Sequence, residues 1–329
     1  NGVGGTTMIA YAPSTTFNNP QLPFPLQLVK SAGQSNNLGD VYTTRYDYAG
    51  GLWDGAAREF YGFGLVKVID PDGNYVETQF RQDSPFHGRP VEQRAYDSGR
   101  HPFSKTVNLW NSQQITPGAN FVYLQQQDNY VYNGDATGRR TAQEFFYEEP
   151  VQLGNMTRTV HWGEVDLTMG SDIGSDKRSV ETAYLNNTSG WLIGFPRQTT
   201  VKDIAGNIVR QSWFYYDNQG NTTVPIKGFL TKKEDWAGTG NVNPVTQYSY
   251  DAIGNLLTTT DPKGNVTSVS YDSTYKMFPL TTTNALNHQV VNEYYGVNGV
   301  PLFGGGFGGY WGQVKSTTDP NQQQGKRIY

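Results

Sequence analysis

The chain has 329 residues, with 22 tyrosines, 16 phenylalanines, seven tryptophans, 38 glycines, no cysteine, 16% charged residues and a formal net charge of -4. So high an aromatic content excludes a disordered chain, and the missing basic surplus excludes a nucleic-acid binder that works by neutralising phosphates. Without cysteine there are no disulfides, thiol nucleophiles or thiolate metal sites.

Asn1-Gly2-Val3-Gly4-Gly5 lacks the charged and apolar regions of a secretory signal. No later window approaches the ~18–20 apolar residues of a membrane-spanning helix. Helical periodicity is scarce, whereas alternation with a period of two recurs. Between Val41 and Tyr48 it sets Tyr42, Thr44, Tyr46 and Tyr48 on one side. It also pairs Phe214 with Tyr216, Tyr248 with Tyr250, and Val269 with Tyr271. These are short, threonine- and tyrosine-rich strands.

The turns between strands share a grammar. Ile69-Asp70-Pro71-Asp72-Gly73-Asn74 comes first, then Asp203-Ile204-Ala205-Gly206-Asn207 and Tyr216-Asp217-Asn218-Gln219-Gly220-Asn221. Tyr250-Asp251-Ala252-Ile253-Gly254-Asn255 and Thr260-Asp261-Pro262-Lys263-Gly264-Asn265 follow, then Tyr271-Asp272, Asn284-Ala285-Leu286-Asn287-His288 and Thr318-Asp319-Pro320. Aspartate hydrogen-bonds the backbone two residues on, proline presets φ, and glycine three residues after the aspartate accepts positive φ. Together they specify a type I turn with a left-handed glycine, the common three-residue hairpin loop. Each unit of roughly twenty residues is two strands and two turns, which cannot bury its apolar face alone; stacked units can. The chain stops at Lys326-Arg327-Ile328-Tyr329, where another strand is expected to start, and it begins without methionine, so it reads as a piece of a longer protein.

Catalytic and metal patterns are weak. His87, His101, His161 and His288 stand in no zinc or triad spacing, and neither Gly-x-Ser-x-Gly nor a phosphate loop occurs. Gly304-Gly305-Gly306-Phe307-Gly308-Gly309 contains Gly-x-Gly-x-x-Gly, but Tyr310-Trp311-Gly312 follows it instead of a helix, so it reads as a loop inserted at one sheet edge. Asp70-x-Asp72-x-Asn74 opens like a calcium loop, yet Tyr75 and Arg81 stand where glycine and glutamate belong. Asp166, Asp172 and Asp176 read as an exposed loop. Glu148-Glu149 and Glu234-Asp235 are adjacent, so on a strand each pair points to opposite faces. No cofactor is expected, and the chain is not expected to be an enzyme. The tyrosines read as the lining of a sheet. Trp191, Trp213, Trp236 and Trp311 are candidate stacking platforms for a sugar or an unfolded peptide.

On these residues the sequence resembles the Rhs/YD-repeat family, whose signature is the tyrosine–aspartate unit with the Gly-Asn step and the Thr-Asp-Pro-x-Gly-Asn turn; the match is strongest from about Thr199 to Tyr329. Leu22-Pro23-Phe24-Pro25-Leu26, Thr44-Arg45-Tyr46-Asp47-Tyr48, Arg58-Glu59-Phe60-Tyr61-Gly62-Phe63-Gly64 and His87-Gly88-Arg89-Pro90 resemble the middle region of the B component of insecticidal Tc toxins and of related virulence-plasmid proteins. The resemblance implies an all-β fold: an antiparallel β-strip of YD repeats winding as a shell or barrel-like solenoid wall. It implies a division at 1–150, the toxin-B-like region, and 151–329, the repeat region continuing the same sheet. The expected function is a non-catalytic structural β-shell segment of an Rhs/Tc-type secreted toxin or surface protein, forming a protective or assembly wall. Its expected partners are the remaining segments of a larger polypeptide or identical copies, and an encapsulated toxin domain or a glycan. A glycan- or receptor-binding surface module and a self-assembling extracellular filament subunit are the alternatives. The residues expected to matter are turn-makers: Asp70, Gly73, Asp203, Gly206, Asp217, Gly220, Asp251, Gly254, Asp261, Pro262, Gly264 and Asp319.

Overall fold

The computed structural model describes residues 5–36, 38–148, 152–304 and 307–326. Strands β1 (Thr6–Pro13), β2 (Gln27–Ser35), β3 (Val41–Asp54), β4 (Glu59–Ile69), β5 (Tyr75–Phe80), β6 (Pro90–Tyr96), β7 (Pro102–Thr116), β8 (Ala119–Tyr132), β9 (Gly138–Tyr147) and β10 (Met156–Val165) come first, interrupted by a 3-10 turn at Ser14–Thr16. Next are β11 (Arg178–Asn187), β12 (Leu192–Lys202), β13 (Ile208–Tyr216), β14 (Leu230–Asp235), β15 (Val245–Tyr250), β16 (Leu256–Thr260), β17 (Val266–Tyr271), β18 (Pro279–Thr283) and β19 (Gln289–Tyr294). A small hairpin of β20 (Phe303–Gly304) and β21 (Phe307–Gly308) precedes β22 (Val314–Thr318) and β23 (Gln324–Lys326). The protein is all-β: among the described residues twenty-one strands form antiparallel ladders, with the small hairpin apart. Among the described residues no helix is long and apolar enough to cross a membrane, which leaves strands unaddressed.

Packing divides the chain into two compact units, Asn1–Glu181 with Lys202–Asn207, and Thr182–Val201 with Ile208–Tyr329. This is a division by contacts, whereas 150 was a boundary of sequence character. In the first unit β1 to β10 each pair antiparallel with the next. In the second, β13 to β19 do the same and β22 takes the place after β19. Sequence-neighbour pairing follows from the short corners, which leave a strand little choice of partner.

The hydrophobic interior is thin. Few apolar side chains are fully buried, among them Tyr61, Val165, Leu185, Tyr216, Tyr294 and Val297. The chain exposes 19797 Å². Two compact bodies sharing this mass would expose about 16,000 Å². Much surface that compact folding would bury therefore remains in water.

Candidate functional site

The corners hold themselves together. At Asp251 one carboxylate oxygen accepts the N–H of Ile253 (3.0 Å) and Asn255 (2.9 Å), and the other accepts the Asn255 side-chain amide (2.8 Å). Asp70 and Asp261 repeat this arrangement with Asn74 and Asn265, and Asp203 clamps Asn207 in the same way. Gly73, Gly206, Gly254 and Gly264 adopt positive φ of 87°, 84°, 101° and 84°. Pro262 occupies the position after Asp261, where its fixed φ suits the turn. At Asp319 the left-handed residue is Gln322 (φ 65°), and at Asn284 it is Asn287 (φ 63°). Asn265 donation, ahead of the backbone N–H groups, holds the Asp261 carboxyl below the usual range, and Asn207 does the same for Asp203. For Asp251 burial pushes upward, and the Asn255 donors outweigh it.

Asp217 and Gly220 depart from the expected turn. Positive φ falls on Asp217 (54°) and Asn218 (59°), and Gly220 is not left-handed. The reason is a longer loop. The Asp217 carboxylate accepts backbone N–H from Ile226 (2.7 Å), Lys227 (2.9 Å), Gly228 (3.1 Å) and Phe229 (3.0 Å), and four charge-assisted bonds outweigh one local turn. Asp272 is a second hub, 1% exposed, accepting from Tyr275, Met277 and Phe278. Burial raises its carboxyl, but these donors prevail and hold it at about 2.

Between corners runs a clamp that the sequence reading did not single out. The hydroxyls of Tyr216 and Tyr250 reach twenty residues back, to the carbonyls of Pro196 (2.9 Å) and Leu230 (3.0 Å). Tyr294 reaches Pro279 (3.1 Å). Each tyrosine packs on the phenylalanine just before that carbonyl: Phe195, Phe229 and Phe278, with ring centroids 5.1 Å apart in all three pairs. A left-handed glycine lies against each phenylalanine, Gly228, Gly254 and Gly312 in turn; a Cβ there would meet the ring at 2.7, 3.1 and 3.1 Å. Burial pushes the Tyr216 phenol up to about 12. The repeat is thus a three-residue sandwich, and the equal Phe195–Tyr216 and Phe229–Tyr250 spacing was its visible signal.

In the first unit the toxin-B-like segments converge on the β3–β4 hairpin. Phe24 meets Trp53 edge-on (5.0 Å), Phe63 lies between Tyr48 (5.1 Å) and Phe60 (5.4 Å), and His87 stacks on Tyr61 (4.6 Å, 6°) with Nε2 3.4 Å from Glu59. Asn19 accepts the Gly51 N–H (2.7 Å), tying the preceding segment to the bulge between Gly51 and Trp53. These motifs form one packed corner.

In the second unit strict antiparallel order sends successive corners to alternate rims. One rim holds 236–244, 261–265, 284–288 and 319–323, where the large exposed apolar residues are Val242 and Leu286. The other holds 217–229, 251–255, 272–278 and 295–313, and exposes Ile226, Ile253, Met277, Phe303, Tyr310 and Trp311. Trp311 packs edge-on against Tyr275 and Phe278, and 49% of it stays exposed. Trp191 is 76% exposed in a turn beside Asn187, whose amide donates to Pro225 of that second rim. Trp213 is half-buried in β13 opposite Glu234, and Trp236 stands at the other rim, its N–H on Gln211. The four tryptophans do not converge on one surface.

The remaining polar candidates are engaged. Asp166 accepts Thr168 and Met169 N–H, and Asp176 accepts Glu164 N–H. Glu234 takes Asn243 and Tyr215, while Asp235 takes Ser212 and Lys233. Glu148 caps the 152–154 backbone, whereas Glu149 lies outside the described residues, as do Gly305 and Gly306. His101 bonds Asp97 (2.8 Å), and burial ahead of Arg178 lowers His161. Among the described residues no group of three histidines or carboxylates could hold a metal ion.

Comparison with known proteins fits this geometry. Residues 1–92 match the family model described as the insecticide toxin TcdB middle/N-terminal region, and residues 239–287 match the RHS repeat. No curated protein matches the chain. Among solved structures it is similar to the Photorhabdus luminescens Tc holotoxin pore, at 12% identity over 96% of this chain and 23% of that one, with a TM-score of 0.66. It is also similar to TcdB2-TccC3 without its hypervariable C-terminal region, at 12% identity over 96% and 24% of the two chains, with a TM-score of 0.65. TcdB2-TccC3-TEV gives 13% identity over 89% and 23%, with a TM-score of 0.63. The fold is shared with these toxin chains, and this chain spans about a quarter of their length.

Proposed function

We propose that this Tc-toxin-B-like chain is a non-catalytic wall segment of a larger, extracellular toxin-complex protein, built to be joined by further protein along one rim. The observation that carries the reading is the contrast between rims in the second unit. On one rim the corners at 261–265, 284–288 and 319–323 bond to themselves and two large apolar residues, Val242 and Leu286, are exposed. The opposite rim presents Ile226, Ile253, Met277, Phe303 and Tyr310 to solvent. Exposed apolar surface of that extent marks a contact surface. The carboxylates favour a structural role too: those of Asp203, Asp217, Asp251, Asp261 and Asp272 are spent on corner N–H groups. A general base needs a free lone pair aimed at a substrate proton.

The test is electron microscopy and limited proteolysis of the native polypeptide that carries these residues. A closed hollow particle is expected, resistant to protease and opened by Ile253→Asp with Met277→Asp. A native polypeptide that ends with this chain, stays monomeric and tolerates both substitutions would refute the reading.

A further inference from the structure

The face of the first unit that carries Lys105 holds an open groove of about 520 Å³. The register places Arg94 opposite Lys105, Lys105 opposite Tyr130, and Tyr130 opposite Arg140. Like charges directly opposite on a sheet are destabilising, so this row needs neutralising. Most of it is neutralised: Arg94 pairs with Glu92 at 2.7 Å and Arg140 with Asp128 at 3.0 Å. Lys105 is the exception. Among the described residues no carboxylate pairs with it, and its ammonium lies 4.0 Å over the Tyr130 ring.

Around this cation the groove is aromatic. Tyr130 and Tyr132 lie nearly parallel (14°, 6.1 Å), and Tyr96 lines the same groove from β6, steadied by stacking on Tyr75 at 5.0 Å. Flat tyrosine faces suit the C–H face of a pyranose ring. A half-buried ammonium with no carboxylate paired to it suits a carboxylate on that ring, and Asp135, which also lines the groove, is engaged by the Thr137 N–H at 2.8 Å. A neutral sugar would leave Lys105 as it is. The open side accommodates a residue within a longer chain. We infer that this groove binds an acidic saccharide, with the sugar carboxylate on Lys105 and its ring on Tyr132, because Lys105 and Arg140 already lie over the Tyr130 ring at 4.0 and 5.4 Å. The inference is independent of the wall reading.

The experiment is calorimetric titration of the chain with tri-galacturonate, 3′-sialyllactose and neutral lactose. It compares parent, Lys105→Gln, Tyr132→Leu and the corner control Lys263→Gln, each with a melting curve. One or both acidic sugars should bind and lactose should not. Lys105→Gln should weaken binding at least about tenfold, the loss of one charge-assisted contact. It should also leave the free protein at least as stable, because it removes a like-charge neighbour. Lys263→Gln should change nothing. No binding of either acidic sugar at millimolar concentration, equal binding of lactose, or undiminished binding by Lys105→Gln would each overturn the inference.

Discussion

Gly254 and Gly264 occupy the same position of the same corner and differ in whether a ring lies against them, which makes them a useful pair. Both are left-handed, at φ 101° and 84°, after aspartates with the same bonds. A Cβ on Gly264 would meet nothing within 4 Å, whereas one on Gly254 would lie 3.1 and 3.2 Å from the Phe229 ring. Gly264→Ala therefore reports the backbone cost alone, about 1–2 kcal/mol for an L-residue in the left-handed region. Gly254→Ala adds displacement of a ring held by Tyr250, a further cost of about 1–3 kcal/mol for overpacking. Gly264→Asn should cost less than either, because Asn287 already takes φ 63° at the equivalent corner. Urea unfolding followed by tryptophan fluorescence reads all three. In a Phe229→Leu background the excess cost of Gly254→Ala should shrink toward that of Gly264→Ala, since the coupling belongs to the ring. Equal losses for the two alanine variants would refute the sandwich, and no loss for Gly264→Ala would refute the left-handed turn.

Tyr216→Phe removes the hydroxyl bond to Pro196 from a residue only 6% exposed, and should cost about 1–2 kcal/mol in urea midpoint with an unchanged slope. Asp272, held at about 2 against an ordinary 3.8, contributes stability that is complete above about pH 4 and lost as pH falls toward 2. Asp272→Asn should therefore unfold more easily than the parent at pH 7, with the gap closing near pH 2; a gap independent of pH would refute the hub. Asp128→Ala leaves Arg140 buried without its partner and should cost about 3–5 kcal/mol, largely restored by adding Arg140→Met. Equal stability of Asp128→Ala and parent in thermal melts would refute that pairing.

The corners were legible because their physics is local: an aspartate, a glycine and an asparagine within five positions contain every bond they need. The same letters at Asp217 misled for a non-local reason. Asp217-Asn218-Gln219-Gly220-Asn221 matches the motif, but the strand that must follow starts only at Leu230, after Phe229 has been placed for Tyr250. The carboxylate therefore turns to the loop end that brings Phe229 in. The tyrosines could be read as lining, yet their hydroxyl partners lie on the neighbouring strand, and register is invisible until corners are counted. The groove at Lys105 lay furthest from view. Its row joins residues 94, 105, 130 and 140 from four strands, and no local pattern marks them.

The sandwich also bears on why such a thin sheet holds together. A thin sheet cannot bury much, and here each repeat stakes its stability on one phenylalanine, one tyrosine and one glycine that touch across neighbouring elements. The tyrosine fixes register, because its hydroxyl finds a carbonyl in one alignment only. The phenylalanine, one residue before that carbonyl, keeps the bond from water. The glycine lets the next corner close over the ring. Slipping a strand by one residue would turn the tyrosine to the other face and lose all three contacts together. Such coupling makes each repeat depend on its neighbours, and a sheet of this kind should unfold by losing whole hairpins from an end rather than by loosening throughout. Hydrogen exchange should show protection of the Tyr216, Tyr250 and Tyr294 strands falling in steps along the second unit; uniform protection across them would argue that the sandwich does not set the cooperative unit.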